Sequence, residues 1–460
     1  MKVRVSGFAL LALTSLSSLA LAADPPTKGE PRTDAKVETK IDDPMLEPVP
    51  PAAQNISNWS EAKNHIKARS TDLRTAAAEV ARAEAAWRGA LARALPGIGL
   101  DGRASKDLIP STIAIPDQTK PGVITEIQRQ LLSANANLQV PLIDVKTWYG
   151  IGTQDRNIDA AKYSLEDTKR LLMLQVVTAM VAVYTSERVA EIGRIGLRNA
   201  LERLELTRQR VNLGAGNKLD VLRVETDVAN ARATLVTNNE SLRQAREALG
   251  LALGYPSGMG VTANLRLDAL ESEAASTCKG VSKLEERPDV LAASKRIEAA
   301  DRAQTSAKLG FLPVLSGQSS AGRTTNATDV FVWNIQATLS FTLWDGGARY
   351  AEMRDAAATT EQAIQKRESA VRKATIEVTQ AKRAVTVTED SRRVAQQARE
   401  AAFETDRLTR TAYTEGRGTS LELVSAATAL RQADVSLALR EFELVRARLL
   451  AALTLSRCEL

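Results

Sequence analysis

The sequence predicts a mainly α-helical protein that carries part of a membrane β-barrel and is built from two tandem repeats. Two stretches, Leu132–Val140 and Phe331–Phe341, alternate between apolar and polar residues. This alternation is typical of a strand with one apolar face and one polar, water-exposed face. Outside these stretches the chain is rich in Ala, Leu, Arg and Glu, and only 4% of all residues are aromatic. That composition suits long helices.

Residues 1–22 have the pattern of a secretory signal peptide, with a positive start, an apolar core and a cleavage site at Ala20-Leu21-Ala22. A transmembrane anchor would need about 20 apolar residues, and this run is shorter. We therefore expect an exported chain, and no acylated N-terminus because no cysteine follows the cleavage site. The next segment, 23–55, holds seven prolines and few apolar residues, which predicts an extended or disordered lead-in.

The remaining chain contains an internal repeat of about 200 residues. The first repeat spans 56–254 and the second spans 286–455, with a segment at 255–285 between them and a tail at 456–460. Each half reads as a helix, two strands, a very long helix, a glycine turn and a further helix. The motif pairs that recur in order are Leu206-Thr207-Arg208 with Leu408-Thr409-Arg410, Gly214-Ala215-Gly216 with Gly416-Arg417-Gly418, and Leu219-Asp220-Val221 with Leu421-Glu422-Leu423.

The long helices are predicted from the absence of proline between Pro141 and Pro256 and after Pro313, because proline breaks a helix. Each would extend about 100 Å at 1.5 Å per residue, and helices of this length need side-by-side partners, as in coiled coils. The predicted strands lie at about 97–106, 132–141, 313–322 and 331–341, the long helices at about 144–211 and 345–413, and the turns at about 212–220 and 414–422.

Four strands cannot stand alone in lipid, because the open edges of their sheet would leave backbone groups unpaired. Closed membrane barrels start at about eight strands, so several copies of the chain must contribute to one barrel. One face of the strands would then line a watery lumen. The polar residues predicted on that face are Asn135, Asn137, Gln139, Asn334, Gln336 and Thr338.

Composition argues against several other functions. The net charge is +6, but basic and acidic residues are interleaved throughout, which indicates solvated helix faces rather than nucleic-acid binding. The one histidine, His65, has no second ligand at metal-binding spacing, and no nucleophile–base arrangement stands out, so we expect no metal, no cofactor and no enzyme. The two cysteines, Cys278 and Cys458, could form a disulfide after export, although the sequence alone does not show that they meet.

Three motifs make the chain resemble the outer-membrane efflux protein family, the TolC-like channels. Leu-Trp-Asp-Gly-Gly occupies 343–347, Arg-Pro-Asp occupies 287–289, and Gly-x-x-x-x-Leu-Asp-Val-Leu occupies 214–222, with a copy after Gly416. The resemblance covers nearly the whole mature chain. It implies a homotrimer in the outer membrane, in which three chains form a twelve-stranded barrel on a twelve-helix tube that crosses the periplasm.

The resemblance also implies partners and a function. A periplasmic membrane-fusion adaptor and an inner-membrane pump of the RND, ABC or a similar class would complete the machine, and this chain would be its passive exit duct for efflux or type I secretion. The segment 255–285 and the C-terminal tail would form an equatorial belt around the tube. The turns would meet the adaptor through Gly214, Gly216, Leu219, Gly416, Gly418, Leu421 and Glu422.

A gate is implied at the same turns. In the family pattern an acid of the first turn hydrogen-bonds a tyrosine of the second, and the matching residues here are Asp220 and Tyr413, with Arg417 close to them. Asp220 could instead cap the next helix, and Tyr413 could pack at the end of its own. Ser425 stands where some members have an aspartate, so a ring of acids at this level is not assumed.

An exported helical scaffold or adaptor protein that never enters a membrane is the alternative. It would share the signal peptide and the helices. It does not explain why both halves place alternating strands ahead of the longest helix.

Overall fold

The computed structural model describes residues 43–106, 108, 111–113, 125–127, 130–262, 266–325 and 330–459. The predicted signal peptide, 1–22, and the first part of the predicted lead-in, 23–42, lie outside the described residues.

Helices dominate the described part of the chain. Two of them are very long: α3 has 68 residues and α7 has 67, so each extends about 100 Å, and their ends lie within three residues of the predicted bounds. No helix in the described ranges combines the length and the apolar character needed to cross a bilayer. The helices are α1 Trp59–Arg69, α2 Thr71–Arg93, α3 Val145–Asn212, α4 Lys218–Leu253, α5 Leu267–Ser276, α6 Pro288–Leu309, α7 Ala348–Thr414 and α8 Ser420–Thr454.

The strands are β1 Asn55–Ile56, β2 Gly97–Lys106, β3 Ser111–Ile113, β4 Thr125–Ile127, β5 Gln130–Ile143, β6 Gly260–Val261, β7 Cys278–Gly280, β8 Val314–Thr325, β9 Val330–Ser340 and β10 Ser456–Cys458. Four of them form one antiparallel sheet in the order β2-β5-β8-β9, and these four are the predicted strands. Among the described strands no sheet closes on itself, so β2 and β9 are open edges.

Below the sheet, the helices form two antiparallel hairpins, which we call the first hairpin (α3 and α4) and the second hairpin (α7 and α8). α3 packs against α4, α2, α6 and α8, while α7 packs against α8 and α6. The main apolar core lies halfway along α3, where Met173, Val176 and Met180 are buried with Trp59 of α1 and Leu249 of α4. A second apolar cluster lies nearer the turns and joins α3 to α4.

The end of the predicted lead-in, residues 43–55, packs against the helical part of the chain, where the sequence predicts an extended or disordered segment. Met45 and Leu46 pack against the second apolar cluster, and the carboxylate of Asp43 lies 2.7 Å from the guanidinium of Arg232 in α4. Further along, the carbonyl of Pro50 accepts a hydrogen bond from Arg246 at 2.7 Å. Contacts with helices more than 180 residues away hold this segment, although it has little helix or strand of its own.

The belt at the middle of the long helices is built from short elements. β1 pairs in parallel with β6, and β7 pairs with β10. Cys278 of β7 and Cys458 of β10 are directly opposite each other and form a disulfide, with Cα atoms 4.1 Å apart. His65 of α1 is hydrogen-bonded through Nδ1 to the hydroxyl of Tyr255 at 2.8 Å.

The two long helices differ in how much of their surface a single chain covers. α3 has eighteen buried residues, whereas α7 has four: Ala374, Ala395, Asp406 and Tyr413. Apolar side chains of α7 such as Ile376, Val387 and Val394 are each more than half exposed. One chain therefore leaves α7 with an uncovered apolar face.

Candidate functional site

Polar side chains line up across one face of the four-stranded sheet. Residues that pair across antiparallel strands share a face, and the register places Asn137, Ser320 and Asn334 in one row. The hydroxyl of Ser320 donates to Oδ1 of Asn334 at 2.6 Å, and the amide of Gln336 donates to Gln318 at 2.6 Å in the adjacent row. All six predicted lumen residues lie on this face: Asn135, Asn137, Gln139, Asn334, Gln336 and Thr338.

The opposite face of the sheet is apolar. Ile98, Leu138 and Ile335 lie in one row across it, and Ile98 and Ile335 are 80% and 74% exposed in a single chain. The indole N–H of Trp333 donates to the hydroxyl of Ser319 at 3.0 Å, so its polar atom is satisfied within the sheet. An exposed apolar face of this size marks contact with lipid or protein.

At the far end of the hairpins, both long helices end in the same kind of turn. In the first turn Gly214 has φ +75°, and the N–H of Ala215 donates to the carbonyl of Arg210 at 2.9 Å. In the second turn Gly416 has φ +80°, and the next N–H donates to the carbonyl of Ala412 at 2.9 Å. Both are Schellman motifs, in which glycine adopts the left-handed conformation at no steric cost.

The second glycine of each turn lies against the end of the long helix. A Cβ atom at Gly418 would lie 3.0 Å from the backbone nitrogen of Tyr413, and one at Gly216 would lie 3.0 Å from Cγ2 of Val211. The Gly-x-Gly pattern of the sequence is therefore explained by a positive φ at its first position and by close packing at its second.

Each turn leads into a capping box. The N–H of Asp220 donates to the side chain of Asn217 at 3.0 Å, and the N–H of Asn217 donates to the Asp220 carboxylate at 3.3 Å. In the second turn Thr419 and Glu422 form the same reciprocal pair. The N–H and the hydroxyl of Thr419 both donate to the Glu422 carboxylate, and these bonds hold its pKa below the usual value.

Asp220 and Tyr413, which the resemblance pairs with each other, have other partners within the described part of the chain. The Asp220 carboxylate accepts a bond from the hydroxyl of Ser420 in α8 as well as from its own cap. The Tyr413 hydroxyl lies 3.3 Å from that of Thr207, and the guanidinium of Arg210 stacks 4.4 Å from the Tyr413 ring centre. The capping interpretation of Asp220 and the packing interpretation of Tyr413 therefore both describe what the structure shows.

The remaining predicted turn residues lie at the surface. Leu219 and Leu421 are 52% and 58% exposed, and Leu213 beside them is 84% exposed. Arg417 is exposed and pairs with Glu415 in the same turn. The turns thus present an exposed apolar rim on two rigid helix ends.

A buried charged cluster, which sequence reasoning missed, lies behind the turns. The Asp227 side chain of α4 is 1% exposed and lies 2.5 Å from Arg203 of α3 and 2.9 Å from Arg431 of α8. Its signal in the sequence is an acid between Val224 and Val228, on the apolar face of an otherwise amphipathic helix. Beside it, a cleft of about 720 Å³ opens between α3, α7 and α8.

Comparison with known proteins identifies the family. A sequence model described as outer membrane efflux protein matches residues 63–255 and again 281–454, which together are well over half of the chain. The chain belongs to this family. It is an outer-membrane protein with a large periplasmic portion, and its family consists of efflux channels rather than enzymes.

Named relatives of this outer membrane efflux protein are distant. Nodulation protein T of Rhizobium leguminosarum bv. trifolii is 24% identical over 74% of this chain and 77% of its own length. Fusaric acid resistance protein FusA of Burkholderia cepacia is 24% identical, but the match spans 46% of each chain. The crystal structure of CusC superposes with a TM-score of 0.73 at 19% identity, over 88% of this chain and 96% of CusC. That likeness shows a shared fold.

Proposed function

We propose that this protein is the passive exit duct of a tripartite efflux or type I secretion system. The observation that carries the proposal is the two-faced open sheet. One face is apolar, the other carries rows of Asn, Gln and Ser, and among the described residues neither edge strand has an outer partner. In lipid such edges must be closed. Three copies of the sheet would close into a twelve-stranded barrel with the polar rows inside.

The helical part supports the same trimer. The exposed apolar stripe of α7 has no partner within the described chain, and a neighbouring copy would cover it. Three pairs of hairpins would then form a tube of twelve helices below the barrel. The duplicated order of elements supplies the pseudo-symmetry that such a tube requires.

The turns would close this tube at its periplasmic end. Asp220, Tyr413 and Arg417 lie there. The contacts of Asp220 with Ser420 and of Tyr413 with Thr207 join the two hairpins and are worth about 1 kcal/mol each, whereas Arg417 pairs with Glu415 within the second turn. Hydrogen bonds of this strength can be replaced by contacts with an adaptor protein, so the closed and open states of the tube would differ little in free energy.

A periplasmic membrane-fusion adaptor would dock on the exposed rim of the turns, with Leu219 and Leu421 as apolar contacts. The glycines behind them shape the backbone of the turns. An inner-membrane pump would supply the energy for transport through this passive duct. The pump would also select the cargo, in keeping with relatives named for fusaric acid resistance and for cation efflux.

The experiment that tests the proposal is the mass of the protein extracted from the outer membrane, corrected for bound detergent. A stable trimer that conducts ions in a planar bilayer is expected. A water-soluble monomer or dimer would contradict it and would favour the alternative, an exported coiled-coil scaffold.

A further inference from the structure

One charged contact joins the two hairpins behind the turns. Asp227 lies ten residues into α4, about 14 Å from the start of the helix, and its carboxylate is shared by two arginines. Arg203 approaches it from α3, within the same hairpin, at 2.5 Å. Arg431 approaches it from α8, in the other hairpin, at 2.9 Å. Of the two ion pairs, only Asp227–Arg431 connects one hairpin to the other.

The path of Arg431 explains a glycine inside the longest helix. A Cβ atom at Gly196 of α3 would lie 2.7 Å from Cδ of Arg431, so the arginine stem crosses α3 where a side chain is missing. Glycine weakens a helix interior by about 1 kcal/mol relative to alanine. Here it opens the passage by which Arg431 of α8 reaches the Asp227 carboxylate of α4.

Burial makes this contact different from the ion pairs on the surface. The side chains of Asp227 and Arg431 are 1% and 15% exposed, so neither water nor salt screens them well. Separating the hairpins would leave the carboxylate with Arg203 alone and would expose a charge to the cleft between α3, α7 and α8. Buried pairs of this kind are strongly destabilised when one partner leaves.

We propose that Asp227–Arg431 is an inter-hairpin lock that holds the tube closed, and that Gly196 provides the passage for the arginine. The lock rests on the proposed gated duct and adds a positioning contact behind the turns. In this proposal the tube opens when the second hairpin moves away from the first, and the contact breaks at that step.

The test compares matched variants as purified trimers in planar bilayers. Arg431→Met removes the bond between hairpins, whereas Arg203→Met removes only the bond within the first hairpin. Because a charge-assisted hydrogen bond is lost, we expect Arg431→Met to raise the open fraction about tenfold per protomer. Arg203→Met should lower the melting temperature without this increase in conductance.

Two further controls separate the lock from general loosening. Asp434→Asn breaks a pair of similar chemistry, Arg399–Asp434 at 2.9 Å, that lies within the second hairpin, and its conductance should match the wild type. Gly196→Ala should open the channel by displacing Arg431, although alanine favours the helix. Gly193→Ala is its control, because a Cβ there would meet Asn238 of the same hairpin at 2.9 Å.

The outcomes are distinct. A conducting trimer in which Arg431→Met and Gly196→Ala behave as the wild type would overturn the lock and leave the duct in place. Equal increases in Arg431→Met, Arg203→Met and Asp434→Asn would show general loosening and would also overturn it. A protein that forms neither a trimer nor a pore would instead overturn the proposed function.

Discussion

Replacing Ile335 by arginine, and separately replacing its neighbour Gln336 by arginine, tests which face of the sheet meets lipid. The two residues are adjacent in β9 and point to opposite faces. Ile335 is the central residue of this eleven-residue strand, so it lies about 17 Å along the strand from either end at 3.3 Å per residue.

The expected magnitudes differ clearly. Arginine on the lipid face at the bilayer midplane costs about 2–4 kcal/mol, which amounts to about 6–12 kcal/mol in a trimer with three copies. Gln336→Arg breaks the bond of 2.6 Å to Gln318, which is worth about 1 kcal/mol, and its guanidinium would remain in water. Ile335→Arg should therefore fail to assemble, whereas Gln336→Arg should assemble and shift ion selectivity toward anions.

The assay is the amount of trimer in the outer-membrane fraction, followed by reversal potentials in a salt gradient for any variant that inserts. Equal yields for the two variants, or a lower yield for Gln336→Arg, would refute the assignment of the faces.

Three further predictions concern the hairpins, each read from the thermal melting of the helical signal in detergent. Gly416→Ala should destabilise the fold by about 1–2 kcal/mol, because alanine resists φ +80°. Gly89→Ala, whose new methyl group lies in open space on α2, should instead stabilise the fold, because alanine favours a helix. A change of the same sign in both variants would contradict the turn geometry. Leu235→Ala removes a fully buried side chain and should cost about 2–5 kcal/mol, while Val236→Ala, which is half exposed, should cost less than about 0.5 kcal/mol. Glu422 has a lowered pKa in the folded protein, so its capping bonds stabilise the fold at pH values above the pKa of the unfolded chain, and this stabilisation is lost as the pH falls through the folded-state pKa. The difference in melting temperature between the wild type and Glu422→Gln should therefore shrink on acidification. A difference that stays constant with pH would refute this.

The strands and long helices could be predicted from the sequence because their signals are local. The alternation in β5 and β9 has the period of a strand, and the missing prolines leave α3 and α7 unbroken. Both turns were predicted for the same reason, since Gly214 and Gly416 mark positions where only glycine adopts a left-handed backbone without strain.

What could not be predicted depends on contacts between distant residues. The segment after Asp43 is held by Arg232, 189 positions away, whereas its prolines and low apolar content alone predict an extended or disordered segment without such contacts. The Asp227–Arg431 pair is separated by 204 positions, so no periodicity reveals it. The partners of Asp220 and Tyr413 depend on how the two hairpins pack against each other. The family resemblance predicts that these two residues bond to each other, but it carries no information on this chain's own packing.

The disulfide at the belt divides the protein topologically. Cys278 and Cys458 are separated by 180 positions, and the bond closes α6, β8, β9, α7 and α8 into one covalent ring. The first half of the chain lies outside this ring. A single proteolytic cut anywhere in the ring leaves both pieces joined, and they separate only after reduction. The same cut between β2 and β5 divides the polypeptide at once. The two halves therefore share an order of elements but differ in their tolerance of a broken backbone.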